Sequence, residues 1–174
     1  MTQNDQCQEL LMQEVVRIDF MPVTALKVAA PFAVCNLTEI GVTMSNNDAI
    51  TDANLKEASL LSLNMNGDET VDAEMQQGAS HKVTEKSELM GTVRTHTLQI
   101  PIESGFSTIR TKDAGLQEVD FHVILTDMSG VRYLLYAVPN ACQFAVEETT
   151  AQNTAMSIKA TLVSMSGPIR IQTS

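Results

Sequence analysis

The sequence predicts a mainly β fold, an antiparallel β-sandwich or small barrel, on three observations. Apolar residues alternate with polar ones in short runs along the chain, which is the period of a half-buried strand. Turn-forming Gly, Pro, Asn and Asp separate those runs. Charged residues are sparse, 18% of the 174 against about 25% in typical soluble domains, and Thr, Ser, Ala, Gln and Met take their place. Such a composition suits sheet surfaces and subunit contacts. The length fits one domain spanning 1–174 and is enough to bury a self-sufficient core.

Taken in order, Cys7, Leu10, Leu11 and Val15 have helical spacing behind a cap at Asn4 or Asp5, so residues 1–14 read as a short leading helix or arm. Val16, Ile18 and Phe20 then alternate with Arg17 and Asp19, and Leu61, Leu63 and Met65 with Ser62 and Asn64. Asn46 to Lys56 and Gly67 to Lys82 read as polar, turn-rich loops. Leu98, Ile100 and Ile102 alternate with Gln99 and Pro101, and a connector follows. Val119, Phe121, Val123 and Leu125 are expected to face inward, with Asp120, His122 and Thr126 on the polar side.

Beyond Asp127-Met-Ser-Gly130, Val131, Tyr133, Leu135 and Ala137 make the answering strand. The aspartate starts an Asx-type turn and the glycine can take positive φ, which is what a hairpin loop needs. Leu134, Tyr136 and Val138 make this second strand apolar on its other face too, which places it centrally or beneath a second layer. Pro139-Asn140 is a turn signal, and Cys142, Phe144 and Val146 alternate after it. A polar connection from Glu147 to Thr154 leads to Met156, Ile158, Ala160 and Leu162, and a Ser-Gly-Pro break precedes Ile169-Arg-Ile171. The consecutive strands imply a meander or Greek key.

Eleven basic and twenty-one acidic residues give a net charge of −10, which opposes binding to nucleic acid or anionic membranes. Asp68, Glu69, Asp72 and Glu74 crowd one loop, whereas residues 149–174 carry only Lys159 and Arg170. That depleted segment is predicted to be buried or to meet a partner, with Ile169–Ile171 either pairing in the sheet or reaching a neighbouring subunit. Cys7, Cys35 and Cys142 are odd in number and far apart, so free thiols are expected instead of a disulfide framework or zinc site. The opening Met1-Thr-Gln-Asn-Asp lacks a basic and apolar leader, and no apolar run is long enough to span a bilayer. Synthesis in the cytoplasm is the expectation.

Candidate chemistry is thin. A Ser, Cys or Thr nucleophile needs a base, and the histidines are His81, His96 and His122, two of them mid-strand and read as solvent-facing on the polar side, and none with metal-ligand spacing. Asn64-Met-Asn-Gly-Asp-Glu69 has oxygen ligands around a glycine but lacks the full calcium-loop register; a turn closing a strand is the plainer reading. No phosphate-cradling glycine motif or nucleophile elbow occurs. The residues therefore name no catalytic group, cofactor or metal, and no enzymatic activity is expected. Without tryptophan, a carbohydrate platform would have to rest on Tyr136 and Phe106.

The strand Thr95-His-Thr-Leu-Gln-Ile100, the hairpin Asp127-Met-Ser-Gly-Val-Arg-Tyr-Leu-Leu135 and the strand Ala160-Thr-Leu-Val-Ser164 together resemble small structural proteins of phage and prophage virions, tail-tube-like and neck-like subunits. The likeness covers about half of the chain. It implies a non-enzymatic subunit that assembles with copies of itself and with other virion proteins, into rings or tubes. The alternative is a ligand-binding or adhesion β-sandwich with a groove at Tyr136 and Phe106.

Overall fold

Ile18 and Phe20 project from one side of a strand and Asp19 and Met21 from the other, and that alternation organises the molecule around β1 (Val15–Pro22). The computed structural model describes residues 15–22, 59–65, 71–88, 91–138, 140–149, 155–164 and 168–170. The leading helix expected at 1–14, the loop at 46–56, and Cys7 and Cys35 lie outside them. The remaining strands are β2 (Leu61–Asn64), β3 (Ala73–Met75), β4 (Ser80–Glu88), β5 (Gly91–Ser104), β6 (Phe121–Asp127), β7 (Arg132–Leu135), β8 (Cys142–Thr149), β9 (Ala155–Ser164) and β10 (Ile169–Arg170). Among the described residues one helix, α1 (Phe106–Gln117), joins them. The fold is mainly β, as the alternation predicts.

The strands form one open sheet ordered β10-β7-β6-β1-β2-β3-β5-β9-β8, and β4 pairs with β5 off that path. All pairings are antiparallel except β2 with β3, so the sheet is mixed. The expected meander also breaks between β7 and β8, which lie at opposite ends of the order. Phe20 of β1, Phe121 of β6 and Phe144 of β8 nevertheless meet edge to face, with centroids 5.2, 5.4 and 6.3 Å apart. Strands at the far end of the sheet thus fold back over β1 and β6, and Leu61, Leu63, Leu98, Ile100, Ile102, Leu125 and Ile158 fill the space between.

The hairpin forms as its turn chemistry requires. Asp127 Oδ1 accepts from the backbone N–H of Ser129 at 2.9 Å and of Val131 at 3.1 Å, and Gly130 takes φ +83°. Val119 is the exception on the first strand: it is 45% exposed because the strand begins only at Phe121. The other side of this half-sheet is also covered, with Met21, His122, Ile124 and Leu134 buried there, which agrees with a strand apolar on both faces.

Three elements depart from the reading of the sequence. Helix α1 replaces the featureless connector; only Ile109 and Leu116 are buried on it and no side chain caps it, so it carries little amphipathic signal. It is held by tertiary contacts instead. Lys112 Nζ donates to Leu60 O at 2.9 Å and pairs with Asp72 at 3.1 Å. The loop expected over 67–82 contains β3 and the start of β4, whose Ser-His-Lys-Val-Thr-Glu-Lys-Ser-Glu sequence lacks apolar alternation because Lys82 to Ser87 are exposed. Strand β8 also runs on through Thr149, into the expected polar connection.

Within the charge-poor C-terminal segment, the described residues 155–164 and 169–170 join the sheet. β9 lies between β5 and β8 with Met156, Ile158, Ala160 and Leu162 buried, and β10 pairs with β7.

Gly130→Val should cost about 1–3 kcal/mol by urea denaturation, all of it from the positive φ, since a Cβ there meets nothing within 4 Å. Gly105→Ala should cost more, because its φ is +89° and its Cβ would lie 2.6 Å from the Ala73 Cβ and 2.7 Å from the Ala73 Cα. Phe121→Ala should cost about 3–5 kcal/mol. A Gly105→Ala loss smaller than that of Gly130→Val would show that β3 yields easily to the helix start.

Candidate functional site

The mid-strand histidines, His96 and His122, are buried and do not face solvent as expected. His96 shares the face of Leu98 and Ile100 and is fully buried, at 0% exposure; the alternation already put it on the apolar side. The His81 ring on β4 stacks on it at 5.1 Å and 6°, with His81 Nε2 2.9 Å from His96 Nδ1, and burial lowers the His81 pKa. His122 projects to the second face of the sheet, which is covered too. It stacks on Tyr136 at 4.4 Å, and its Nδ1 accepts from the Ala137 N–H at 3.1 Å. Burial lowers its pKa to about 4, against an opposing pull from Asp120.

Cys142 is half-buried and free. Its Sγ donates to Phe121 O at 3.2 Å, and burial pushes its pKa up to about 11, so at neutral pH it is a packed thiol and not a thiolate. Among the described residues, no three His, Cys, Asp or Glu side chains are gathered to hold a metal. Of the Asn64 to Glu69 stretch, read as a turn closing a strand, Asn64 is buried at the end of β2, and Asn66 to Glu69 lie outside the described residues. Of the acidic cluster, Asp72 accepts from the Ser62 N–H at 2.9 Å and pairs with Lys112; Asp68 and Glu69 are not described.

Tyr136 and Phe106 do not come together as a sugar platform. Tyr136 is stacked on His122, whereas Phe106 packs against the core from the start of α1 with the Arg110 guanidinium 5.9 Å from its ring centre. A groove of about 400 Å³ instead opens on the second face, lined by Arg17, Asp19, Met21, Ser59, Thr126 and Arg132 among others. Asp19 is buried there, accepting from Arg17 Nε at 3.0 Å, Ser59 Oγ at 3.0 Å and Ser62 Oγ at 2.6 Å. The carboxylate is thus engaged by its own neighbours.

The larger opportunity for contact is backbone. Strands β4, β5, β9 and β8 lie side by side, all antiparallel. Among the described residues, nothing pairs with the outer edge of β4, nine residues long, or of β8, eight residues long. β4 carries exposed Lys82 and Lys86 with Val83, 38% exposed, between them; β8 carries exposed Glu147 and Glu148. Glu148 also binds Arg110 of α1, which docks the helix on that strand. Unpaired N–H and C=O groups along such edges are open to another strand. Their charge, which hides β4 as a strand in sequence, is the signal of an edge.

No protein-family model matches the chain, and no curated protein or solved structure matches it either. Among the described residues, no helix is long and apolar enough to cross a membrane.

The His122 shift fixes a pH dependence. Unfolded, the imidazole titrates near 6.5; folded, near 4. Stability from the neutral buried ring is therefore complete above about pH 6.5 and is lost as pH falls toward about 4, where the unfolded chain binds the proton that the fold refuses. Denaturation midpoints should fall across that window, and His122→Gln should flatten the slope. An unchanged slope would assign it to other groups.

Proposed function

We propose that the chain is a non-enzymatic, self-assembling structural subunit of the kind from which phage and prophage tails and necks are built. The observation that carries this reading is a pair of long strand edges, on opposite sides of one antiparallel four-strand unit, that have no partner among the described residues. A monomeric protein usually shortens, covers or interrupts such edges, and here each runs for eight or nine residues. The sequence likeness to virion proteins adds support, because Thr95–Ile100 and Ala160–Ser164 lie on β5 and β9, the two inner strands of that unit. Partners are then copies of the same chain and adjoining virion proteins.

The groove beside Asp19 favours a second reading, a ligand-binding module, in which the two guanidinium groups of Arg17 and Arg132 and the Thr126 hydroxyl would meet a small polar ligand. The readings differ in what they require of the isolated protein.

Sedimentation at rising concentration should show mass above the monomer with β-type circular dichroism retained, and particles induced from a strain that encodes the chain should yield its peptides by mass spectrometry. A monomer at every concentration, together with particles free of its peptides, would remove the structural reading and leave the ligand-binding one.

A further inference from the structure

The register of the four-strand unit limits how two copies can join. One level of the sheet runs Ser80, Gln99, Lys159, Ala145 across β4, β5, β9 and β8, and another runs Val83, His96, Leu162, Cys142. The two edge strands are therefore staggered. β4 continues past the second level to Glu88, whereas β8 continues past the first, in the opposite direction along the sheet, to Thr149.

Because the strands alternate in direction and are even in number, the β8 of one copy and the β4 of a second copy held the same way up are antiparallel. A head-to-tail junction thus continues the hydrogen-bonding pattern of the unit without inversion. If copies met with their levels aligned, only Cys142 to Ala145 would find partners, on Ser80 to Val83. An offset of four residues, with Thr149 opposite Ser80, lets all of β8 pair and keeps each residue on its own face, since the offset is even.

Side chains favour this same offset. It sets Glu147 opposite Lys82 and Val146 opposite Val83, joining opposite charges on one face and two valines on the other, with Phe144 opposite Glu85; the charge match is what selects it. An offset of two would put Lys82 opposite Ala145, and one of six would put it opposite Thr149. Geometry agrees independently. Four residues at about 3.4 Å each, gained over four strands about 4.8 Å apart, tilt the strands by about 35°, at the value that closed barrels adopt.

We propose that β8 pairs with β4 of the next copy in this register, Glu147 to Lys82 and Val146 to Val83, so that the outer edges are consumed head to tail around a closed ring. This rests on the self-assembly proposed above and specifies its interface.

The test is a disulfide across the junction. Thr84 and Ala145 become direct neighbours in the proposed register, at about the 4.5–5.5 Å Cα separation that a disulfide accepts. Within one copy they lie on opposite edges of the unit, three strand spacings apart across the sheet and four residues apart along it, about 20 Å in all, and cannot be joined. The Thr84→Cys, Ala145→Cys double variant, oxidised at assembling concentration, should give a ladder of dimer, trimer and higher species on a non-reducing gel. Neither single variant should exceed the unaltered protein, which controls for the native cysteines.

Glu147→Lys should raise the concentration at half-assembly about fivefold, and adding Lys82→Glu should bring it back, with circular dichroism confirming the fold of each variant. Dimers from a single-cysteine variant, with no ladder from the double, would show symmetric edge pairing and overturn the proposal. Assembly without cross-linking, or without charge rescue, would overturn this interface while leaving self-assembly standing. A protein that never assembles would remove both.

Discussion

The contact between Phe20, Phe121 and Phe144 is the constraint on which the rest depends. β1 and β6 are neighbours in the sheet, but β8 stands at its far end, and among the described residues no ladder of backbone hydrogen bonds joins β8 to them. Side-chain packing must do so. Edge-to-face pairs add roughly 0.5–1.5 kcal/mol each beyond the area they bury, and they fix orientation as well as distance. Beside them, the Cys142 thiol bonds the backbone of Phe121, and the Val138 N–H donates to Val163 O at 2.8 Å. Remove that meeting point, and the apolar faces of the two half-sheets would separate into water.

Much of this core was legible in the sequence, and the reason is periodicity. Ile18 and Phe20, Leu98 to Ile102, and Met156 to Leu162 each alternate with polar neighbours, and each apolar set is buried. The hairpin was legible because Asp127 and Gly130 carry the turn in their own side chain and backbone freedom. Helix α1 was hidden because two buried residues a full heptad apart make no stripe. β4 was hidden because a strand exposed on both faces has no apolar period to detect. His96 was misjudged as polar-side although its position two residues before Leu98 put it on the inward face; residue type was weighed above register. His122 was misjudged because alternation tells which face a residue occupies and not whether that face is covered.

The candidate site was less legible than the fold, since its chemistry is that of backbone edges. No motif in a sequence marks a strand as unpaired, and charge is the one sign it carries. What the sequence does show is where lysine and glutamate interrupt strand-forming residues, and those positions are Lys82, Lys86, Glu147 and Glu148. Such charges repel an arbitrary strand and accept one whose charges oppose them, so in the proposed assembly the same residues would guard the edges and select between partners. The acidic balance of the whole chain adds a background repulsion between copies, which the proposed contact would have to overcome.

The ladder between β1 and β6 pairs Val15 with Asp127 and Pro22 with Phe121, whereas β4 with β5, β6 with β7, and β8 with β9 are hairpins or near neighbours in the chain. A nascent polypeptide leaving the ribosome can therefore close its hairpins one after another as they emerge. Its first strand must wait. Ile18 and Phe20 stay without their β6 partners until the chain has been made through the middle of the sheet, and this high contact order slows that closure. During that interval β1 is an apolar strand that a chaperone would find exposed, and the pairings of β5 with β9 and of β7 with β10 come later still, once residues 155–170 have been made.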